Sequence, residues 1–257
     1  MSMIPDKIIT AREIFLLSLL FFSACALKPV SDMDSPDYHY KAGMRHIEAG
    51  KYKASLTSFQ RAIDLDKKFA LAHAGMGIAY ANLKDKKSAK KHANKAEGLG
   101  GKDPSVLALC CKTYIDLRDQ DKRWYKSAER LVRKALKKSK GHESANYYKG
   151  EMLLYHHKFS EAEDQFRIVV NMKGDYSGKA DRMWQLSQKI VRAVPGSDVG
   201  KKVALYEKIS RADLAVLLAE ELKISSLIDR KTIPYQGFQT PTDAANARSA
   251  INVPSDS

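Results

Sequence analysis

The sequence predicts an all-α fold: a helical solenoid of about four helix-turn-helix units plus a capping helix. Gly43 is echoed by Gly77, and Ala62 by Ala96, at one and the same spacing. A fixed period of about 34 residues marks stacked helical hairpins. The 257 residues include only 14 Gly and 8 Pro, with the Pro near the termini and the breaks, so long helices run through the middle. At 44% hydrophobic and 29% charged, the chain suits one or two folded domains.

The amino terminus reads differently. Residues 15–27 are FLLSLLFFSACAL, shorter than the roughly 20 residues that span a bilayer. The run has the length of a signal-peptide apolar core, preceded by Lys7 and Arg12, with Asp6 and Glu13 offsetting those charges. It ends Phe22-Ser23-Ala24-Cys25. Small residues before a Cys at the end of such a run resemble the lipobox of bacterial lipoproteins, although Phe22 replaces the usual Leu. The resemblance implies cleavage before Cys25, diacylglycerol on its thiol and acylation of the new amino terminus; several acyl chains anchor stably where one does not. Ala26, in place of Asp, implies sorting to the outer membrane by resemblance to enterobacterial lipoproteins. Residues 1–24 are therefore expected to be a lipoprotein signal peptide and 25–35 a lipidated polar tether. The alternative is an ordinary signal peptide or a membrane-proximal helix with an incidental Cys.

The array is expected over residues 36–194. In the first unit Gly43 lies on the first helix (A), where the missing side chain lets the second helix (B) approach. Gly50 and Tyr52 mark the turn, and Ser55, Phe59 and Ala62 form the buried face of helix B, which Leu65 closes. These residues resemble the tetratricopeptide repeat (TPR) family. The second unit carries Gly77, Tyr80, Leu83, Ala89 and Ala96 in register, with a turn (Lys84-Asp85-Lys86) that lacks Gly and an aromatic. Gly98, Gly100 and Gly101 are expected to break its helix B, and Pro104 to open the third unit. There Cys111 stands where Gly is expected, and Ala128, Val132 and Ala135 fit only if about five residues are inserted around Arg118–Lys126. That stretch, with Trp124 and Tyr125, is where a unit-specific surface is expected. Gly150, Phe159, Ala162 and Phe166 restore the spacing in the fourth unit. Residues 177–193 form one more amphipathic helix, with Ala180, Met183, Trp184 and Ile190 on one face, which reads as the cap that a solenoid needs over its last apolar surface.

Pro195-Gly196 ends the array. Residues 195–228 form a further helical segment in which Ser210 can cap a helix with Leu214, Leu217, Leu218 and Leu222 on its apolar positions. Ile209-Ser210-Arg211-Ala212-Asp213-Leu214-Ala215 resembles the helix-opening motif of the S-layer homology family, which implies attachment to cell-wall polymer. The match covers only the stretch around that motif, and the rest of such a module is missing. Residues 229–257 are polar, contain Pro234, Pro241 and Pro254, and read as a disordered tail.

The net charge is +14, which suits anionic partners. The Lys residues (Lys84, Lys86, Lys87, Lys90, Lys91, Lys95) are scattered at helical spacing with no aromatic interleaving, so they read as a solvated face and not as a nucleic-acid reader. Cys110 and Cys111 are adjacent in one helix, point to different faces and pack in the core. No spacing of Cys and His suits a metal, no catalytic constellation emerges, and no cofactor is implied. His142 and Glu143 open a helix, where polar residues cap, and His156 and His157 diverge.

TPR arrays curve, with helix A faces lining the concave side. The register puts Tyr40, Asn82, Lys112, Tyr147, Glu151 and Tyr155 on or near that face as a partner-binding groove. The expected protein is non-enzymatic: an envelope lipoprotein on the periplasmic face of the outer membrane, docking an envelope protein or peptide through that groove. The alternative is a structural protein held to anionic cell-wall polymer through its carboxyl-terminal segment.

Overall fold

The computed structural model describes residues 34–193, 195–206 and 208–221. Cys25, the apolar run before it and the 229–257 tail lie outside the described residues. The chain divides into two compact units, Met1–Ala193 and Val194–Ser257. All regular structure among the described residues is helical.

The first of these is a TPR-type solenoid of four helical hairpins and a cap. The hairpins are α1 (Pro36–Glu48) with α2 (Tyr52–Leu65), α3 (Ala70–Asn82) with α4 (Lys86–Gly100), α5 (Pro104–Asp116) with α6 (Trp124–Lys138), and α7 (Glu143–Tyr155) with α8 (Phe159–Met172). The cap is α9 (Ser177–Ala193), packed along α8. Helix starts follow local chemistry. Ser35, Asp85, Asp103 and His142 each accept a backbone N–H one turn into the helix they open, satisfying donors that the first turn leaves free. Pro36 and Pro104 occupy first-turn positions, where no N–H is needed.

Three of the four hairpins turn through one residue in the left-handed region. It is Gly50 in the first repeat, Lys84 in the second and His157 in the fourth, with φ of 69°, 67° and 62°. Lys84 shows how the second turn forms without glycine: a side chain is carried through the strained conformation. The third connection is longer. Asp121 within it is 4% exposed and accepts from Lys90 Nζ at 2.8 Å, while Gln120 Nε2 donates to Ala81 O at 3.2 Å. The insertion is thus tied back onto the second repeat.

Helix A of each repeat packs against its own helix B and against helix A of the next: α1 on α3, α3 on α5, α5 on α7. The B helices make no comparable contacts with one another. Closer A-to-A packing curves the stack with the A helices inside. The consequence is burial on nearly every face: Ala72 to Ala79 of α3 are all buried.

Small residues set the helix spacing, in more than one way. Phe59 is 0% exposed, and its ring fills the space that a side chain on Gly43 or on Gly75 would need. Phe166 does the same beside Gly150, 2.6 Å from where a Cβ would stand. Gly77 is different: its side-chain position faces Thr113 Oγ1 on α5 at 2.8 Å, with Ala89 O of its own helix B at 3.4 Å. Ser55 is fully buried and satisfies its hydroxyl on Tyr52 O at 2.7 Å, which explains a polar residue at that contact. The expected break falls at Gly100 and Gly101 and not at Gly98, since α4 runs to Gly100 and Gly101 caps it. Glycine costs a helix only about 1 kcal/mol, and Gly100 sits where a Cβ would press on Ala70 and Val106, at 2.7 and 2.9 Å.

In the second compact unit α10 (Asp198–Val203) and α11 (Arg211–Glu221) pack together. Glu221 accepts from Ser197 N and Oγ, at 3.0 and 2.6 Å. Ser210 caps α11 as expected, accepting from Asp213 N at 3.1 Å, while the Asp213 carboxylate accepts from Ser210 N at 2.9 Å. None of α11 is buried, and Leu214, Val216 and Leu218 are exposed.

Candidate functional site

The four A helices carry a ladder of equivalent positions. The register takes equal steps through the first three repeats and a longer one into the fourth, where the insertion intervenes. One rung is therefore Tyr40, Ala74, Ala108 and Tyr147. The next is Met44, Ile78, Lys112 and Glu151. The third is Glu48, Asn82, Asp116 and Tyr155.

Side chains on these rungs form a continuous polar network across α3, α5 and α7. Asn82 Nδ2 donates to Asp116 Oδ2 at 3.0 Å and to Ile78 O at 3.0 Å. Lys112 Nζ lies 2.9 Å from Asp116 Oδ1 and 3.3 Å from Glu151 Oε2. Tyr147 donates to Glu151 Oε1 at 3.5 Å. The Arg118 guanidinium covers the Tyr155 ring at 4.1 Å, a cation–π contact.

Burial alone would lower the pKa of Lys112, but the Glu151 and Asp116 carboxylates outweigh it and raise the value, keeping the ammonium charged. Burial, then Glu151, raises the Tyr147 and Tyr155 hydroxyls, so both stay neutral donors. One cation between two carboxylates, with tyrosine donors around them, can exchange hydrogen bonds with a peptide backbone or a polar side chain.

Of the six positions read from the sequence, Asn82, Lys112, Tyr147 and Glu151 share this network, and Tyr155 joins its edge through Arg118. Tyr40 does not. Its ring packs 6.2 Å from Phe59 and 6.0 Å from Phe69, on the edge of the first repeat's core. Sequence reasoning missed Asp116 and Tyr176, and marked Arg118 only as the start of the inserted stretch Arg118–Lys126. Asp116 was within reach of the repeat arithmetic, standing one full repeat beyond Asn82 and one helical turn beyond Lys112. Tyr176, 5.1 Å from the Tyr147 ring, lies in the loop before α9 and carries no repeat signal. Its backbone N–H is held by Glu143 Oε1 at 2.8 Å.

Lys179 of α9 reaches Glu48 of α1 at 2.6 Å, so side chains from the two ends of the array meet. Both are well exposed, and the pair adds little stability. The remaining sequence candidates are structural. Cys110 and Cys111 are fully buried, and burial pushes the Cys110 thiol up to about 12 and that of Cys111 higher still. His142 caps α7, His156 stacks on Tyr125, and among the described residues no group of three or more His, Cys, Asp or Glu could hold a metal ion.

Residues 43–84 match the TPR repeat family. Among solved structures the chain is similar to TTC0263, a thermophilic TPR protein of Thermus thermophilus, at 15% identity and a TM-score of 0.51, covering 73% of this chain and 99% of that one. It is also similar to MamA MSR-1, at 20% identity and a TM-score of 0.40 over 66% of this chain and 94% of that one. For MamA AMB-1 the values are 21% and 0.38, over 70% and 96%. No curated protein matches the chain.

Proposed function

We propose that this protein is a membrane-anchored bacterial envelope lipoprotein whose inner helix face docks a protein partner as a scaffold or assembly factor. The TPR-type solenoid supports a protein-binding scaffold in general. The observation that carries the inner face as the docking surface is the network from Asn82 through Asp116, Lys112 and Glu151 to Tyr147. Packing between repeats alone would be met by apolar residues at these rungs, as at Ala74, Ala108 and Ile78. Instead, three successive helices present polar groups already held in place, which lowers the ordering cost of binding. The envelope anchor rests on Cys25 and the run before it.

Two experiments test this reading. A photo-crosslinking amino acid at Asn82 or Tyr155 is expected to give discrete protein adducts in the envelope fraction, and one at Arg167, exposed on α8, is expected to give none. Equal labelling from both faces would overturn the docking surface. Cys25→Ala is expected to abolish palmitate incorporation and release the protein from membranes; retention would overturn the anchor. The second reading, attachment to cell-wall polymer, draws support from the Ser210–Asp213 capping box and the exposed apolar residues of α11. It expects binding to purified peptidoglycan that is lost without residues 203–257.

A further inference from the structure

Away from the inner face, α6, α7 and α8 line an open pocket of about 530 Å³, within the range of ligand-binding pockets. It lies on a different side of α7 from the polar network. Lys149 and Leu153 line it, each two positions along from Tyr147 and Glu151, which is about 200° around a helix.

Its floor is apolar. Val132, Met152 and Leu153 are at most 5% exposed, and Leu136 and Tyr125 complete the wall. The Tyr125 ring is fixed by His156, 3.7 Å between centroids, so that wall is in place before anything binds. Methionine in the floor adapts to the shape of an incoming side chain.

The rim is cationic. Arg133, Lys137, Lys149 and Lys158 surround the opening, against Glu129 and Glu161. Lys158 is committed to Glu161 at 3.3 Å. Arg133, Lys137 and Lys149 hold no ion pair among the described residues. Three cations with no ion pair among the described residues, against the one unpaired carboxylate of Glu129, favour a partner with carboxylates spaced about a bulky apolar side chain over a basic one.

We propose that this pocket is a second docking site, which takes an acidic peptide segment by inserting a bulky apolar side chain between Val132, Met152 and Leu153 while its carboxylates meet Arg133, Lys137 and Lys149. The site is independent of the inner face and of the membrane anchor, so each can fail alone.

The chain carries its own reporter. Of its two tryptophans, Trp124 lies 5.7 Å from the Tyr125 ring, and Trp184→Phe isolates its fluorescence. The probes are three blocked synthetic peptides free of tryptophan: glutamate with leucine and phenylalanine at helical spacing, the same peptide with lysine for glutamate, and a glutamate–serine peptide without apolar residues. Phosphatidylglycerol vesicles are the fourth probe. The expected result is saturable, salt-sensitive binding of the first peptide and none of the second or third. Binding should weaken at least tenfold in the R133E/K137E double variant, whose positions are exposed on α6 and whose folding is checked by its helical circular dichroism. Equal binding of the lysine peptide, binding indifferent to the charge reversal, binding of vesicles alone, or no saturable binding would each overturn the proposal.

Discussion

Lys112 on the third inner helix lies 3.3 Å from Glu151 on the fourth, and the same ammonium holds Asp116 at 2.9 Å. The two carboxylate side chains are only 9% and 10% exposed, so each depends on this cation. Lys112→Ala would leave two facing acids largely out of water. We expect a loss of about 2–4 kcal/mol in urea unfolding, because removing one partner strands the others. A double-mutant cycle with Glu151→Gln should show coupling of at least about 1 kcal/mol. Additive effects would mean that the network does not act as a unit.

Two glycines in the second repeat should respond with opposite signs. Gly77→Leu drives a side chain against Thr113, which is fully buried, and should cost about 1–3 kcal/mol by overpacking. Gly98→Ala adds a methyl where nothing lies within 4 Å and should stabilise α4 by about 0.5–1 kcal/mol. Thermal melts of both variants against the parent provide the measurement. An unchanged melting point for Gly77→Leu would contradict the close approach of α3 and α5.

The turn at Lys84 stores removable strain. Its φ of 67° is one that L side chains enter at a cost of roughly 1–2 kcal/mol, and the residue is exposed. Lys84→Gly, matching Gly50 in the first repeat, should therefore raise stability by about 1 kcal/mol. A decrease would show that the lysine side chain contributes more than its backbone costs.

Acidification should weaken the fold in two separate windows. His73 is 2% exposed, its Nδ1 lies 3.3 Å from His92 Nδ1, and burial, with Lys95 and His92, lowers its pKa to about 4. The unfolded chain then binds the proton more tightly than the folded one. Stability falls as pH drops from about 6.5 towards 4, by roughly 1–3 kcal/mol. Glu97 acts lower: Arg130 and then Lys134, against burial, hold it down to about 2, so its contribution is full above pH 4.5 and is lost towards pH 2. Melts at pH 7 and pH 5 isolate the histidine window, and His73→Phe should flatten the difference between them. A pH dependence unaltered by that substitution would remove His73 as its source.

Much of this architecture was legible in the chain. The recurrence of Gly43, Gly77 and Gly150 beside Phe59, Ala96 and Phe166 requires hairpins that cannot bury their apolar faces alone, and residues 177–193 supply the terminal cover. The inner-face positions followed from the same register, because one helical face repeats with the unit. Asp116 belongs to that register too, one repeat beyond Asn82. Tyr176, and the contact of Arg118 with Tyr155, were out of reach, since both residues come from connections whose path no periodicity describes.

The repeat period by itself determined the helical hairpins and their order, the amphipathic run at 177–193 marked the cap, and the family resemblance implied which helix of each hairpin lies inside. Only the tertiary structure decided what those positions touch. It placed Gly77 against the next inner helix where Gly43 meets its own partner's ring, packed Tyr40 against the edge of the core, and folded the Arg118–Lys126 insertion back through Asp121. The physical reason is that periodicity reports which face of a helix is buried. The occupant of the space opposite depends on side-chain volumes and charges brought together from neighbouring repeats, far apart along the chain.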